Sequence, residues 1–322
     1  MSHDVPTPDV SIVIVSMNQP KRLEKCLCSL YAQSNRATVE IWVVAYRFSR
    51  ENLVWLRKTF PDVNVLVSEE LRGFSENNNL ALRKARGRYA FLLNDDTWMD
   101  APVVDALVQT FCEHADAAVV LPKILNADGS TQYCGAPPFP LTRLFFSTGR
   151  KRPAWKESRW VKSSGVFQTH DIVGAAFMAR MDIFRELGFL DEQYFFTPED
   201  IAYSSLVNER GWACYVNATV HLFHEGSASL KRSFVPCIVA MHRGCILYFG
   251  RHHALIGRLV ALSILVRSTL KWIYWLPRRG ENAMIHREMW RAAVATVFSR
   301  RTPKELFADY SKRTSVRQEQ TT

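Results

Sequence analysis

The chain has 322 residues, of which 48% are apolar and 22% charged. That is enough apolar material for one large domain with an appendage, or for two domains, and it excludes a disordered or collagen-like chain. The net charge of +10 is unevenly placed: Lys231–Thr322 holds 17 Lys/Arg against 5 Asp/Glu, a balance of +12, and the rest holds 24 against 26, a balance of −2. A basic tail on a nearly neutral body calls for an anionic partner, with nucleic acid and an anionic membrane as the two obvious classes. The seven cysteines are scattered, odd in number and without paired CxxC units. They support neither a zinc site nor a disulfide framework, and a reducing cytoplasm is the simplest compartment. Met1–Asp9 is polar and lacks an apolar core, so no secretory leader is expected.

Apolar runs and helical spacings alternate from the start. Val10–Ser16 reads as a buried strand, and Pro20–Ala32 as a helix with Leu23, Leu27 and Leu30 on one face. Val39–Ala45 is a strand, Arg50–Thr59 a helix stopped by Pro61, and Val63–Val67 a third strand. Ser75–Ala85 is a helix ended by Gly87, Arg88–Leu93 a strand, Pro102–His114 a helix and Ala117–Leu121 a strand. This order predicts a mostly parallel sheet flanked by helices, with ligands at the carboxyl ends of the strands. Ser16–Asn18 and Asn94–Asp96 both fall at such ends. Asn126–Ser130 reads as a turn, and Pro137–Lys162 as an irregular loop suited to cover a site. Further on, Ile172–Arg180 is regular, Met181–Leu187 and Ile201–Arg210 are helices, and Trp212–Val216 and Thr219–Phe223 are strand-like.

Composition changes at Lys231, which divides the chain into a catalytic-type domain over 1–230 and a basic helical region over 231–322. Phe234–Phe249 and Ala254–Trp275 have long apolar helical patterns. The longest uncharged apolar run, Leu259–Val266, falls far short of the roughly 20 residues that span a bilayer. Arg258, Arg267 and Lys271 interrupt the second pattern and do not share one face. Long basic side chains snorkel, however, and Trp272, Tyr274 and Trp275 suit an interface. The segment is read as lying on a membrane surface, with a helical hairpin packed on the preceding domain as the equal alternative. Arg313–Thr322 is expected to be disordered.

Four groups of residues could carry chemistry. Asn94-Asp95-Asp96 ends an apolar strand and offers hard oxygen ligands suited to Mg²⁺ or Mn²⁺ carrying a diphosphate, with Asp96 the best ligand. Helix capping is the bland alternative, and Asp100 is the better cap by position. Glu199-Asp200 precedes a helix, where acids are favoured by the dipole; Asp200 is otherwise suited to act as a general base with Glu199 as its orienter. His221 and His224 lie at a strand end, and His224, followed by Gly226 and two serines, is preferred as a metal ligand. Gly73–Asn79 brings three asparagines into a helix, useful beside a nucleotide or simply as capping and a solvated face. No Gly-x-Ser-x-Gly elbow, Walker loop or GxGxxG follows the first strand.

Taken together, Ser11–Asn18, Gly73–Asn79, Leu93–Thr97, Gly174–Phe177 with Gly188–Glu192 and Glu199-Asp200, and His224–Ser229 resemble glycosyltransferase family 2, in its bacterial rhamnosyltransferase-like branch. The resemblance covers roughly 10–230 and implies the GT-A fold, a Rossmann-like mixed α/β sheet flanked by helices, here with a membrane-associated helical extension. It implies an inverting glycosyltransferase using a divalent metal, with Asp96 and His224 on the metal and Asp200 as base beside Glu199. Asn79, Asn94, Asp95, Ser16 and Asn18 then contact the nucleotide side. Where the family usually carries an Asp-Asn or Asp-Asp pair after the second strand, this chain has Ala45-Tyr46, so either base recognition differs or Tyr46 stacks on the base. Two residues after the base, where a second Asp is usual, stands Ala202.

The implied donor is a nucleotide-diphosphate sugar, dTDP-rhamnose or a UDP-sugar. The implied acceptor is a saccharide or polyprenyl-diphosphate-linked saccharide in cell-surface polysaccharide assembly. The expected location is the cytoplasmic face of the inner membrane, on an anionic surface, with no nucleic-acid partner. The alternative is a catalytically weakened scaffold of a membrane polysaccharide assembly, motivated by the missing acidic pair.

Overall fold

The computed structural model describes residues 7–139, 159–226, 234–278 and 280–319. Strand β1 (Val10–Ser16) is buried almost throughout, as a strand must be when helices cover both faces of its sheet. It pairs in parallel with β2 (Val39–Tyr46) on one side and β4 (Tyr89–Asn94) on the other. Beyond β2 lies β3 (Asn64–Ser68), also parallel. Helix α1 (Pro20–Tyr31) opens with proline, whose missing N–H costs nothing in a first turn. It buries Leu23, Cys26, Leu27 and Leu30 at helical spacing. Helix α2 (Arg50–Thr59) starts at Ser49, whose hydroxyl accepts from the Asn52 N–H at 3.2 Å. Helix α3 (Phe74–Leu82) starts at Gly73, where the Glu76 carboxylate accepts from the glycine N–H at 2.9 Å. A side chain at Gly73 would meet the Phe195 carbonyl oxygen at 2.4 Å, so only glycine admits this approach.

The second half departs from the expected parallel order. After β5 (Thr97–Trp98), helix α4 (Val104–Glu113) and β6 (Ala117–Leu125), the chain forms β7 (Thr131–Tyr133) and β8 (Val166–Thr169). Strand β9 (Ala176–Arg180) then inserts between β4 and β6, antiparallel to both. After helices α5 (Met181–Glu186) and α6 (Glu199–Glu209), β10 (Ala213–His224) runs parallel to β6, and its end pairs antiparallel with β5. The main path is β3-β2-β1-β4-β9-β6-β10-β5, a mixed sheet. The two strand-like runs after Trp212 are one strand with an irregularity between Asn217 and His221. Phe91, Phe177 and Phe184 are fully buried at the centre; truncating such a ring to alanine costs about 3–5 kcal/mol.

Among the described residues four helices follow: α7 (Phe234–Gly250), α8 (Ala254–Trp275), α9 (Glu281–Phe298) and α10 (Pro303–Glu319). They pack on the sheet domain. A Cβ on Gly244 of α7 would meet the Thr197 carbonyl at 2.4 Å, and the Tyr248 and Ser205 hydroxyls are 2.7 Å apart. Lys304 of α10 pairs with Glu76 at 2.6 Å, and the Phe307 ring lies 4.6 Å from that of Phe195. Helix α10 extends to Glu319, into the stretch expected to be disordered, because its first turns have this packing to propagate from. Most of the expected covering loop, over 140–158, and Ser227–Ser229 lie outside the described residues. Asp100 does not cap α4, which begins at Val104 without a side-chain cap; its carboxylate instead faces His221 at 3.4 Å.

Candidate active site

The parallel strands β1, β2 and β4 deliver Ser16, Tyr46 and Asn94 to one edge of the sheet. The turn after β4 carries Asp95 and Asp96, and the pairing of Thr97 with His224 sets the imidazole beside Asp96. The Asp96 Oδ1 atom lies 3.2 Å from His224 Nε2. On the far side of the ring, Nδ1 lies 2.7 Å from Gln132 Oε1, whose own amide nitrogen donates to Asn126 Oδ1 at 3.0 Å. That orientation gives Gln132 an acceptor to present, so a ring proton sits on Nδ1, and in the neutral ring Nε2 carries the lone pair. Asn94 Nδ2 is 3.4 Å from the same Nε2.

A carboxylate oxygen and a bare imidazole nitrogen therefore face each other. Asp96 Oδ1 is buried and has no hydrogen-bond partner, and Asp95 Oδ2 is in the same condition. Adjacent ligands of an octahedral ion at 2.0–2.1 Å stand roughly 3 Å apart, so the Asp96–His224 spacing fits a divalent cation. Among the described residues no group of three or more His, Cys, Asp or Glu could hold a metal. The pair would supply only part of such an ion's coordination shell, the rest coming from substrate oxygens and water.

Electrostatics separate the two aspartates. Burial pushes Asp95 up to about 6, with the Ser16 hydroxyl pulling the other way and the Asp96 charge adding to the rise. Burial acts to raise Asp96 as well, but the His224 ring, which in its protonated form donates from Nε2, and the Arg22 guanidinium outweigh it and hold that carboxyl below its usual value. Arg22, in the first turn of α1, also pairs with Glu225 at 3.0 Å. Neither Arg22 nor Gln132 was singled out in the sequence. No motif marks them; only the angle of α1 and the 126–133 turn bring them in.

Glu199 and Asp200 open α6. Asp200 Oδ2 accepts from the Gly174 N–H at 2.9 Å and Oδ1 from the Ile201 N–H at 2.8 Å. One residue on, the Ala175 carbonyl accepts from the Asn94 N–H at 2.9 Å, which ties the second acidic pair to the first. Burial and the neighbouring Asp200 charge push Glu199 up to about 8, and its Oε2 has no partner. Burial also raises Asp200, while its two backbone N–H donors oppose the rise. Two like charges cannot comfortably share this pocket, and the donors favour charge on Asp200. The arrangement favours the proton on Glu199 and the charge on Asp200.

Three expected nucleotide contacts are otherwise engaged. Asn79 is buried, donating to the Leu190 carbonyl at 2.8 Å and to Glu192 at 2.9 Å and accepting from the Leu190 N–H at 3.3 Å. Both ends of its amide brace the 190–192 loop. Asn18 uses Oδ1 to hold the Ser49 N–H at 3.1 Å and Asn52 at 2.8 Å. Tyr46 is only 6% exposed, with its hydroxyl 3.4 Å from the Arg72 N–H, so little of the ring is presented for stacking. His221, the histidine set aside in favour of His224, is engaged with Asp100.

The fold is shared with solved glycosyltransferases. A mannosyltransferase, PcManGT from Pyrobaculum calidifontis, in complex with GDP-Man and Mn²⁺, superposes with a TM-score of 0.55 at 13% identity, over 92% of this chain and 89% of that one. GalNAc-T7 with UDP, GalNAc and Mn²⁺ gives 0.55 at 15% identity over 76% of this chain, which spans about half (48%) of that protein. TarS 1-349 from S. aureus gives 0.50 at 15%, over 91% and 72%. Among curated proteins none matches closely enough to count. The sequence profile described as Glycosyl transferase family 2 matches residues 11–188, more than half of the chain. With this match, the mixed sheet and the carboxylate edge in agreement, the chain belongs to glycosyl transferase family 2 and is a glycosyltransferase of the GT-A fold.

Proposed function

We propose that this enzyme is an inverting, metal-dependent transferase that moves a sugar from a nucleotide-diphosphate donor, dTDP-rhamnose or a UDP-sugar, to a hydroxyl of a saccharide or lipid-linked saccharide. The observation that carries the reading is the Asp96 carboxylate facing the bare Nε2 of His224 at 3.2 Å, backed by Gln132. A divalent cation held by these two residues would stabilise the charge that develops on the departing diphosphate. Imidazole beside carboxylate favours Mn²⁺, since Mg²⁺ takes oxygen ligands almost exclusively. The similar structures with Mn²⁺ and a nucleotide or nucleotide sugar support this choice. Arg22 supplies a second positive charge at the same edge.

Asp200 takes the proton of the acceptor hydroxyl as the new bond forms. Its raised pKa suits that role, because a base poised nearer neutrality transfers protons more effectively. Glu199, kept protonated, limits the pair to one negative charge. A single displacement with the base opposite the leaving nucleotide inverts the anomeric centre.

We further infer a role in cell-surface polysaccharide assembly, with the enzyme peripheral on the cytoplasmic face of the inner membrane; the +12 tail supports an anionic surface there. Turnover of a panel of nucleotide sugars with Mn²⁺, Mg²⁺ or EDTA tests the reaction. Transfer or slow donor hydrolysis with metal, and none in EDTA, is expected. The buried Tyr46 and the apolar Ala45 before it favour a second reading, a scaffold that has lost base recognition. Calorimetry showing no nucleotide binding in the presence of Mn²⁺ would establish the scaffold and sink the transferase.

A further inference from the structure

Helix α8 is built inside out. Toward the protein it buries Gly257, Val260, Ser263, Ile264 and Ser268, and the Ser263 hydroxyl satisfies itself on the Val260 carbonyl at 2.8 Å. Away from the protein it presents Leu255, Leu259, Leu262, Val266, Leu270 and Ile273, each between 46% and 66% exposed. Their spacings of four, three, four, four and three residues place all six on one face. From Leu255 to Ile273 the stripe runs roughly 27 Å at 1.5 Å per residue. A soluble helix normally arranges these two faces the other way round, and a stripe of this size on a surface marks a docking site.

The surroundings indicate what docks there. Helix α8 contains no acidic residue, and Arg258 and Lys271 are exposed on it. The stripe ends at exposed Tyr274 and Leu276, where the Arg278 guanidinium lies 3.8 Å over the Tyr274 ring. An aliphatic face with Arg258 beside it and Arg278 at its aromatic end matches the boundary between lipid headgroups and acyl chains. A second copy of the chain would bring one +12 tail against another, whereas anionic lipid complements the charge. Among the described residues no helix is long and apolar enough to cross a membrane, so the face would lie along the surface.

We propose that the outer face of α8 is an anionic-membrane docking surface, with the helix parallel to the bilayer and Leu255 through Ile273 immersed at the headgroup boundary. This rests on the membrane partner inferred above and names the surface that meets it. The three basic residues do not share one face of the helix, but the exposed apolar positions do.

Flotation of the full-length protein with phosphatidylglycerol-containing vesicles, against pure phosphatidylcholine vesicles, tests the proposal. Wild type is expected to float with the anionic vesicles, and Leu259→Asp/Val266→Asp to lose at least ten-fold in binding while keeping its melting temperature and its metal-dependent turnover of the donor in solution. Should the aspartates lower the melting temperature, Leu259→Ser/Val266→Ser is expected to lose binding by the same readout. Vesicle binding unchanged in both variants overturns the proposal. So does a wild type that ignores vesicles and is a dimer by light scattering, with the variant a monomer. Donor turnover is read separately, so failure of docking and failure of the transferase reading are distinguishable.

Discussion

Gln132 holds His224 from behind: its Oε1 lies 2.7 Å from Nδ1, so in the neutral ring the bare nitrogen is the opposite one, which points at Asp96. The contact crosses 92 residues of sequence and fixes both the tautomer and the ring plane. Outer partners of this kind raise ligand basicity, and their loss typically weakens metal affinity 10–100-fold. Gln132→Ala is therefore expected to weaken Mn²⁺ binding, titrated calorimetrically with a nucleoside diphosphate present, by about that factor. Gln132→Glu, which keeps an acceptor, retains most of the affinity. Equal affinity in Gln132→Ala and wild type would remove the contact from the mechanism.

Replacing the proposed base gives a different signature. Asp200→Asn is nearly isosteric and removes the proton acceptor, so transfer should fall about 10²–10⁴-fold while nucleotide affinity stays within two- to three-fold. Single-turnover transfer and calorimetry on one preparation separate the two quantities. Undiminished transfer would assign the base elsewhere.

The acidic pair predicts two pH effects. Transfer requires ionised Asp200, whose pKa is raised, so the rate should climb with pH from the acid side through a midpoint above the usual aspartate range. Stability should run the other way. The Glu199 proton is held up to about pH 8 in the folded state but is released near 4.5 when unfolded. Its contribution is complete below the unfolded value and is lost as pH rises through 4.5 toward 8. Glu199→Gln, which stays neutral, should flatten this part of the stability curve, gaining on wild type by a few kcal/mol between pH 5 and 8 in urea melts. Parallel curves for the two proteins would contradict a buried neutral Glu199.

Asn79 offers a test of position. Three hydrogen bonds to the 190–192 loop make it a brace, so Asn79→Ala should lower stability by about 1–3 kcal/mol through the unpaired groups left behind. Donor KM should be nearly unchanged. A ten-fold rise in KM without loss of stability would return Asn79 to the nucleotide.

Arg22 is predicted to act through charge. Arg22→Ala should raise the KM for the nucleotide sugar several-fold, with Arg22→Lys intermediate, and the effect should shrink at high salt. A salt-independent loss would indicate packing instead.

The first strands, the carboxylates after Leu93 and the helix from Ile201 are legible in the sequence because period and punctuation are local properties. Asp96 and His224 are legible as types at strand ends. What joins them is not, since the pairing of Thr97 with His224 depends on how a two-residue strand folds back. The bonds of Asn79 to the 190–192 loop were not legible, because an amide advertises hydrogen bonds without naming the partner. Strand order escaped for a similar reason: alternation counts strands, but the antiparallel insertion of β9 is decided by connections that periodicity does not encode. Helix α9 went unremarked because the positions it buries, Ala292, Ala293 and Thr296, are small and mark no strong apolar period.

Residue 231 divides the chain by composition but not by mechanics. Gly244 brings the backbone of α7 up against Thr197, three residues before Asp200, with no room for a single methyl group between them. The tail is therefore not an interchangeable address label. A chimera that exchanged it for another anchor would also reset the aim of the carboxylate, so retargeting this enzyme and retuning it are one operation.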